Sequence, residues 1–216
     1  MTNIAKLIEV ELLRKQEEGK KRERSGKWSP SRLGRCMRYQ YWSRLCEPET
    51  NLPDITALKR FAVGHLFHDY VQEFFKDVDV EVKVETDDIL GYADIVDKDE
   101  VIDIKSVNDW AFKYLLDPKF DVSKDKPEHC MQVALYCKLL DKPKGSLLFI
   151  NTKSLATVQC EVDLIEWIPK VNLELSQLNA YWLVKGVPKA EPRCYAGKEC
   201  SYCSYLTRCT DYEKKV

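Results

Sequence analysis

Outside its central residues 97–100, the segment GYADIVDKDEVIDIK, residues 91–105, carries two carboxylates and one lysine: Asp94, Asp103 and Lys105. Apolar and polar residues alternate on both sides of residues 97–100, which predicts two strands joined by a tight loop. With those four residues as the loop, Asp94 lies directly opposite Asp103 on the neighbouring strand. Side chains two positions apart share a face, so Lys105 points to the same side as both carboxylates. The segment therefore predicts two acids and one amine on one face of a hairpin.

A divalent metal ion would explain this arrangement. Opposed carboxylates about 5 Å apart repel each other, and a hard cation that prefers oxygen ligands offsets the repulsion. The backbone carbonyl of Ile104 offers a further oxygen, so Asp94, Asp103 and Ile104 are predicted ligands of Mg²⁺ or Mn²⁺. Lys105 would then lie within reach of a metal-bound water or of a phosphodiester. The alternative is a solvent-facing hairpin with an ordinary Asp–Lys pair.

Two predicted helices carry polar side chains that could serve the same site. His68 ends the run GHLFH, and its imidazole could bind the metal. Gln132 and Tyr136 are four residues apart and share one helix face, from which they could orient Lys105 or hold a nucleic-acid backbone. Each also has a purely structural interpretation, as a helix-face histidine or as the polar rim of a packed helix.

Hydrophobic periodicity predicts the elements that would position these residues. Alternation predicts strands at 78–84, 89–96, 101–107, 145–152 and 157–163. Helical spacing predicts helices at 4–22, 29–45, 54–74, 127–141 and 164–184, with a loop rich in Asp, Lys and Pro before the fourth. Strands flanked by helices in this order indicate an α/β domain.

The same patterns predict which side chains form the core. Four apolar residues of the hairpin are expected on the core side, away from the carboxylates: Ala93, Ile95, Ile102 and Ile104. The second helix, starting at Ser29–Pro30, is expected to turn Leu33, Cys36 and Met37 inward. The third helix carries a wide apolar stripe made of Leu58, Phe61, Leu66, Phe67, Val71 and Phe74.

Length and composition favour a folded protein of a reducing compartment. The chain has 216 residues, 44% of them hydrophobic, with five Trp and a net charge of −1. No apolar run approaches the roughly 18 residues needed to span a membrane, and the charged amino terminus has no secretory signal. Nine cysteines without such a signal suggest metal binding or catalysis before disulfides. We therefore expect a cytoplasmic location and no membrane partner.

Residues 20–44 are strongly basic, with nine Lys and Arg side chains against the single acid Glu23. Four aromatic residues are interleaved with these cations: Trp28, Tyr39, Tyr41 and Trp42. Such a segment could bind nucleic acid, with cations on phosphates and rings stacked on bases. A solvated charged face with ordinary core aromatics is the alternative interpretation.

The acids, the lysine and the flanking polar residues together resemble a known family. Asp94, then Asp103-Ile104-Lys105, then Gln132 and Tyr136, preceded by Gly64 and His68, resemble the RecB-like branch of the PD-(D/E)XK nuclease superfamily. The proline of the family name is absent, since Tyr92-Ala93 precedes Asp94, but the Gly91-to-Asp94 spacing is typical of RecB-like members. The resemblance extends over about 29–209. It implies an α/β, restriction-endonuclease-like core with a central mixed β-sheet flanked by helices.

The cysteines extend the resemblance to the iron–sulfur RecB-like exonucleases, which include the CRISPR-associated four-cysteine exonuclease family. In that family one early and three late cysteines hold a [4Fe–4S] cluster that joins the amino- and carboxy-terminal regions. The resemblance implies four cluster ligands: Cys36, Cys200, Cys203 and Cys209. Cys194 leaves an alternative open, because with the three late cysteines it could form a local zinc site. The other cysteines, Cys46, Cys130, Cys137 and Cys160, are expected to be buried small residues.

The resemblance implies a Mg²⁺- or Mn²⁺-dependent DNA exonuclease acting on single strands or DNA ends. Asp94, Asp103 and Lys105 would carry the catalysis, supported by Gln132 and Tyr136. Partners would be DNA and proteins of CRISPR adaptation, recombination or phage DNA processing. Two alternatives remain, a structure-specific endonuclease and a non-catalytic subunit that binds DNA or partner proteins.

We expect three segments along the chain. They are an amino-terminal helix with a basic segment, the nuclease core, and a cysteine module that Cys36 completes, at residues 1–28, 29–190 and 191–216.

Overall fold

A computed structural model describes residues 4–20 and 24–215. Its strands are β1 (Asp79–Glu85), β2 (Leu90–Val96), β3 (Glu100–Val107), β4 (Lys144–Asn151) and β5 (Thr157–Glu161). Its α-helices are α1 (Ile4–Lys20), α2 (Met37–Arg44), α3 (Ile55–Gln72), α4 (Asp109–Leu115), α5 (Val122–Asp125), α6 (Pro127–Leu139), α7 (Leu164–Leu183) and α8 (Leu206–Glu213). Strands and helices thus follow the order expected of an α/β fold.

The strands form one mixed sheet in the order β1-β2-β3-β4-β5. Pairing is antiparallel from β1 to β3 and between β4 and β5, and parallel between β3 and β4. The crossover from β3 to β4 runs through α4, α5 and α6, because parallel neighbours cannot be joined by a tight turn. This confirms the predicted α/β class with a central mixed sheet flanked by helices.

Two hydrophobic clusters attach helices to the sheet. The larger one joins α6 and α7 to the strands through residues such as Val101, Val133, Leu147, Phe149 and Val171. The smaller one joins α3 to the strands through Val71, Ile95, Ile104 and Ile150. Both sides of β3 are therefore covered, which holds its backbone firmly against helices α3 and α6.

The prediction of one helix over 29–45 is wrong. A short 3₁₀ helix covers Pro30–Arg32, and α2 begins only after Cys36, whose φ and ψ are −47° and 125°. Gly34 lies between them with φ of +75°, and a Cβ there would be 2.9 Å from the Glu128 Cα. The close approach of α6 therefore bends the chain at a residue that only glycine can supply.

The apolar stripe predicted on α3 is only partly buried. Val71 is buried, but the side chains of Phe61, Leu66 and Phe74 are more than half exposed, and Phe74 lies beyond the end of the helix. On α1, the apolar residue Ile4 is 71% exposed. The two helices contact each other, so each covers only part of its neighbour's apolar surface. The predicted end of the first helix at residues 21 and 22 lies outside the described residues.

The segment predicted as a loop before the fourth helix contains α4 and α5. Asn108 starts α4 by accepting a hydrogen bond from the Ala111 N–H, and Asp121 starts α5 in the same way from Ser123. The prediction missed them because short helices lack a full apolar period. No helix in the described residues is both long enough and apolar enough to cross a bilayer.

Candidate active site

The β2–β3 hairpin places the acidic residues at a point where two strands separate. Ile95 pairs with Ile102 and Val96 with Val101, which is the predicted register. Beyond these pairs a side chain replaces the backbone pairing between the strands. Asp94 Oδ2 accepts a hydrogen bond of 2.7 Å from the Ile104 N–H. Since the N–H and C=O of one strand residue point to the same edge, the Ile104 carbonyl also faces Asp94.

The strict alternation predicted for β2 breaks at Asp94, so the prediction that Ala93 shares a core face with Ile95 and Ile104 is wrong. Ala93 packs in the larger cluster, whereas Ile95 and Ile104 pack against α3. On β1, the opposite residue Glu81 has φ of +50° and interrupts the regular pairing. Because the strands do not pair regularly at Glu81 and Asp94, the neighbouring side chains of Ala93 and Ile95 pack in different hydrophobic clusters.

Asp103 is a buried carboxylate with incomplete hydrogen bonding. Its side chain is 1% exposed, and neither of its oxygens accepts a hydrogen bond from any described residue. The Lys105 ammonium lies 2.6 Å from Asp103 Oδ2 without hydrogen-bond geometry. A buried carboxylate usually accepts several hydrogen bonds, so beside the Lys105 ion pair the Asp103 oxygens have room for a further partner such as a bound cation.

Glu81 lies close to His68 and Asp94 and was not among the residues predicted from the sequence. The nearest atoms of His68 and Asp94 are 3.6 Å apart, at Nδ1 and Oδ2. Among the described residues, His68, Glu81 and Asp94 are the one group of three possible metal ligands whose atoms all lie within 4.8 Å of one another. Asp103 does not belong to this group. Counting back through the β1–β2 hairpin would have found Glu81, because it lies opposite Asp94.

Gln132 and Tyr136 reach the hairpin from α6. Gln132 Oε1 accepts a hydrogen bond of 3.4 Å from Lys105, so Asp103 and Gln132 hold the ammonium from two sides. The Tyr136 hydroxyl accepts a hydrogen bond of 3.1 Å from the Tyr92 N–H. One face of α6 thus contacts both strands of the hairpin through polar groups.

The charges of these groups influence one another. Burial raises the pKa of Asp103 to about 6, with Lys105 opposing and Asp94 adding to the shift. Burial alone would lower the pKa of His68, but Asp94 and Asp103 outweigh it, and the net pKa is raised. Burial and both carboxylates raise the pKa of Tyr136, which keeps the phenol protonated. The two carboxylates therefore favour the protonated forms of both His68 and Tyr136.

These residues suit a hard divalent cation. Mg²⁺ holds oxygen ligands at about 2.1 Å, so atoms bound to one ion lie within about 4.2 Å of one another. His68, Glu81 and Asp94 are gathered at nearly this spacing. Asp103 adds a buried carboxylate whose oxygens accept no hydrogen bond from the described residues and whose Oδ2 lies 2.6 Å from the Lys105 ammonium.

The basic segment does not present its aromatic rings to solvent. Trp28, Tyr39, Tyr41 and Trp42 are all buried in the larger cluster, so the prediction that they stack on bases is wrong. Several of the cations stack on these rings instead. Arg44, for example, lies 4.5 Å from the Trp28 ring centre.

The early and late cysteines line one cavity between α2 and the carboxy-terminal segment. Its lining includes Cys36, Cys200, Cys203 and Cys209 but not Cys194. Two of the sulfurs accept hydrogen bonds, Cys209 from Arg38 at 3.3 Å and Cys203 from the Tyr205 N–H at 3.4 Å. At Cys203 burial raises the thiol pKa and outweighs this hydrogen bond, which by itself lowers the pKa.

A buried carboxylate links the two chain segments that line this cavity. Glu199 is 1% exposed and accepts hydrogen bonds from the Cys36 N–H at 3.0 Å and the Arg193 N–H at 2.9 Å. Arg35 lies 3.3 Å from the same carboxylate. The chain before α2 and the cysteine tail are therefore held together through buried polar groups.

The described cysteines include no group of three gathered at the spacing of a single metal ion. Zinc binds thiolates at about 2.3 Å, so two sulfurs on one ion lie at most about 4.6 Å apart. No three of the described cysteine sulfurs lie within 4.8 Å of one another. A cluster with iron at several corners holds its thiolates farther apart than a single ion does.

The remaining cysteines are only partly as predicted. Cys130 and Cys137 are buried, as expected of small apolar residues, and so is Cys194. Cys46 is exposed and Cys160 is half-buried, so their predicted burial is wrong. Cys46 has φ of +58° in the turn after α2, and Cys160 lies on the edge strand β5, which leaves both near solvent.

The chain was compared with known protein families, curated proteins and solved structures. No family model and no curated protein matches the chain. The crystal structure of SSO0001 matches with a TM-score of 0.56 and 19% identity, over 96% of each chain. The alkaline exonuclease LHK-Exo from Laribacter hongkongensis matches with a TM-score of 0.46 and 18% identity, over 74% of this chain and 92% of its own. Its complex with dAMP gives 0.49 and 18%, over 72% and 89%. The likeness to SSO0001 shows a common overall fold.

Proposed function

We propose that the chain is a metal-dependent deoxyribonuclease of the PD-(D/E)XK type, an exonuclease that degrades single strands or DNA ends. One observation carries the proposal. The buried Asp103 carboxylate accepts no hydrogen bond from the described residues and lies beside Lys105 at the point where β2 and β3 separate. A carboxylate in this state suits metal binding, and an adjacent amine suits phosphate chemistry.

Mg²⁺ or Mn²⁺ would be held by Asp94, Asp103, His68 and the Ile104 carbonyl, with Glu81 as a further ligand. When bound, it would activate a water and neutralise charge on the phosphate. Asp94 would keep the Ile104 backbone in place through the hydrogen bond that it accepts from that residue.

Lys105 would contact the scissile phosphate directly. Its ammonium, held by Asp103 and Gln132, can donate a hydrogen bond to a non-bridging phosphate oxygen as negative charge grows there. Tyr136 would remain a neutral phenol and support the β2 backbone through Tyr92. Hydrolysis adds the elements of water across the P–O bond, so one product carries a phosphate and the other a hydroxyl.

We further propose that Cys36, Cys200, Cys203 and Cys209 hold a structural [4Fe–4S] cluster. The cavity that these four cysteines share and the hydrogen bonds to two of the sulfurs support this assignment. Cys194 lies outside that cavity lining and would not be a ligand. The biological setting would be trimming of DNA ends in CRISPR adaptation, recombination or phage DNA processing.

Linear and circular single-stranded DNA distinguish the exonuclease from an endonuclease. We expect anaerobically purified protein with Mn²⁺ to degrade the linear strand and leave the circle intact, because an exonuclease needs an end. Opening of the circle would favour the endonuclease. Binding without cleavage of either, by iron-loaded protein, would favour the non-catalytic role.

A further inference from the structure

One tryptophan of the chain lies almost entirely in solvent. Trp110 is 79% exposed on α4, which begins two residues after β3 ends. Of the other four tryptophans, Trp28, Trp42 and Trp167 are buried and Trp182 is half-buried. A large aromatic ring is costly to leave in water, so a ring exposed to this degree indicates a binding surface.

The packing of α4 does not depend on Trp110. Phe112 and Leu115 are buried and attach the helix to the larger hydrophobic cluster. Tyr114 is 43% exposed and lies one helical turn after Trp110 on the same face. The side of α4 that does not pack therefore presents two aromatic rings to solvent.

A cationic cavity of about 420 Å³ lies between α3 and the end of β3. Lys59 and Arg60 line it from α3, residues 106–108 line it from the strand end, and none of the described residues in its lining is acidic. Lys59 lies 2.6 Å from Glu9. Arg60 is exposed and has no carboxylate within ion-pair distance in the described part of the chain. The cavity therefore offers a guanidinium that no protein acid neutralises.

Further cations lie near Trp110. The Lys113 ammonium is 3.0 Å from the carboxylate of Asp109, the residue before Trp110. Hydrogen bonds from Lys113 and then Asn151 lower the pKa of Asp109, and the nearby charge of Lys153 adds to the shift. Exposed rings among cations are the arrangement that binds single-stranded nucleic acid, with bases on the rings and phosphates on the cations.

This surface begins next to the candidate active site. Ser106 of the cavity lining directly follows Lys105 on β3. The extended chain from Lys105 to Asn108 covers about 10 Å, at about 3.3 Å per residue. This length corresponds to about three nucleotides of a stacked strand, at about 3.4 Å per nucleotide. A strand that reacts beside Lys105 could therefore reach α4 within a few nucleotides.

We propose that α4 and this cavity hold a single-stranded segment of the substrate next to the linkage that is hydrolysed, with Trp110 stacked on an unpaired base. The positive charge of the cavity complements the phosphates of the strand. A duplex keeps its base faces within its own stack, so the surface would favour single strands. The inference rests on the proposed nuclease function and names the substrate class that the enzyme would select.

Intrinsic fluorescence reports stacking on Trp110 directly, because three of the other tryptophans are buried. The probe would be a short oligothymidylate, with Ca²⁺ in place of Mn²⁺ to prevent hydrolysis. We expect the strand to quench the fluorescence of the wild-type protein, and the quenching to be largely lost in Trp110→Phe. A wild-type protein that binds the strand without any change in fluorescence would overturn the proposal.

Affinity locates the contact on the exposed face of α4. By anisotropy of a fluorescein-labelled strand, Trp110→Ala should bind about tenfold more weakly, the effect of losing one stacked base. Trp110→Phe should recover most of that affinity, because it keeps a ring, and affinity for a blunt duplex should not change in either variant. Leu116→Ala is the control, since it removes another exposed apolar side chain at the end of α4. Equal affinities of wild type and Trp110→Ala for the single strand would contradict the proposal.

Salt dependence tests the cavity. Arg60→Ala should reduce the slope of log affinity against log salt concentration by about 0.7, the value of one phosphate contact on a single strand. Lys76→Ala is the matched control, because it removes an exposed cation beyond the other end of α3. An unchanged slope in Arg60→Ala, in protein with unchanged melting temperature, would overturn the path of the strand through this cavity.

Binding and hydrolysis separate failure of this inference from failure of the proposed function. If the protein cleaves no DNA with Mn²⁺, the nuclease proposal fails, but fluorescence quenching that Trp110→Phe abolishes would still support the inference. If the protein degrades single strands and Trp110→Ala changes neither their binding nor their hydrolysis, the nuclease proposal stands and this inference fails.

Discussion

Asp103 is the side chain whose environment most constrains the chemistry of the hairpin. Its carboxylate is buried, lies against Lys105 and has a raised pKa. Without a bound metal ion, folding at neutral pH places this carboxylate in a poorly solvated position that Lys105 offsets only in part. The residue therefore costs stability when metal is absent, as is typical of side chains kept for function.

Asp103→Asn should stabilise the metal-free protein at pH 7.5. The folded-state pKa of about 6 lies above the ordinary 3.8, so stability falls as pH rises between these values. The neutral amide avoids a penalty on the order of 3 kcal/mol, at about 1.4 kcal/mol for each pKa unit. We expect a melting temperature several degrees higher at pH 7.5 and little difference at pH 4.5.

Thermal unfolding with chelator present measures this directly. Added Mn²⁺ should stabilise the wild-type protein more than Asp103→Asn, because the variant lacks one ligand. A variant less stable than wild type at pH 7.5 would show that the buried carboxylate is satisfied in a way that this account misses.

The individual site residues differ in how far the sequence predicts them. Asp94, Asp103 and Lys105 could be identified from the register of one hairpin and the alternation of side chains along its strands. Glu81 could have been added by extending the same count to β1, because the register on both sides of it places it opposite Asp94. The aromatic residues of the basic segment, such as Trp42, were misinterpreted because composition does not distinguish a ring in the core from one on the surface.

The hairpin itself is the element that could be predicted best. Its register depends only on a short loop and on local pairing, so counting from Val96 and Val101 suffices. The 29–45 segment could not be predicted in this way. Its break at Gly34 reflects contact with α6, which is distant in sequence. Local pattern thus predicts local pairing, and packing decides where a helix stops.

Gly91→Ala should disturb the contact between β2 and α6. An added Cβ would lie 2.7 Å from the Tyr136 hydroxyl and 2.8 Å from Pro30, closer than packed atoms allow. We expect a loss of about 1–3 kcal/mol in the free energy of unfolding, the usual cost of overpacking.

Urea denaturation with Gly19→Ala as the control tests this expectation. Gly19 lies near the end of α1 with no neighbour within 4 Å of an added Cβ, so its substitution should be neutral or slightly stabilising. Equal midpoints for wild type and Gly91→Ala would mean that β2 and α6 are not packed as described.

Across the whole molecule, the region of α2 and the carboxy-terminal segment meet around the cysteine cavity. Thr50 and Asn51 donate backbone hydrogen bonds to the Ser204 carbonyl, and Tyr205 packs on Trp42. Trp28 and Tyr205 belong to the same hydrophobic cluster. The spacing of the late cysteines could not predict that Cys36 lines the same cavity, because Cys36 comes near them only when the intervening sheet has folded. The family resemblance supplied that expectation.

Glu199→Gln should weaken iron retention. The carboxylate accepts the Cys36 N–H and pairs with Arg35, so an amide would loosen the loop that carries a proposed ligand. We expect less iron per chain and a weaker visible absorbance after anaerobic purification. Glu161→Gln, at an exposed acid on β5, is the control. Equal iron content in both variants would contradict a positioning role for Glu199.

The most direct test is Mn²⁺-dependent hydrolysis of linear single-stranded DNA by wild type, Asp103→Ala and Asp99→Ala. Asp99 is an exposed acid in the loop of the same hairpin, so its substitution controls for any general effect on the β2–β3 turn. We predict that Asp103→Ala abolishes nucleotide release by folded, iron-loaded protein, and that Asp99→Ala retains it. Undiminished degradation by Asp103→Ala would contradict the assignment of the metal site to this hairpin.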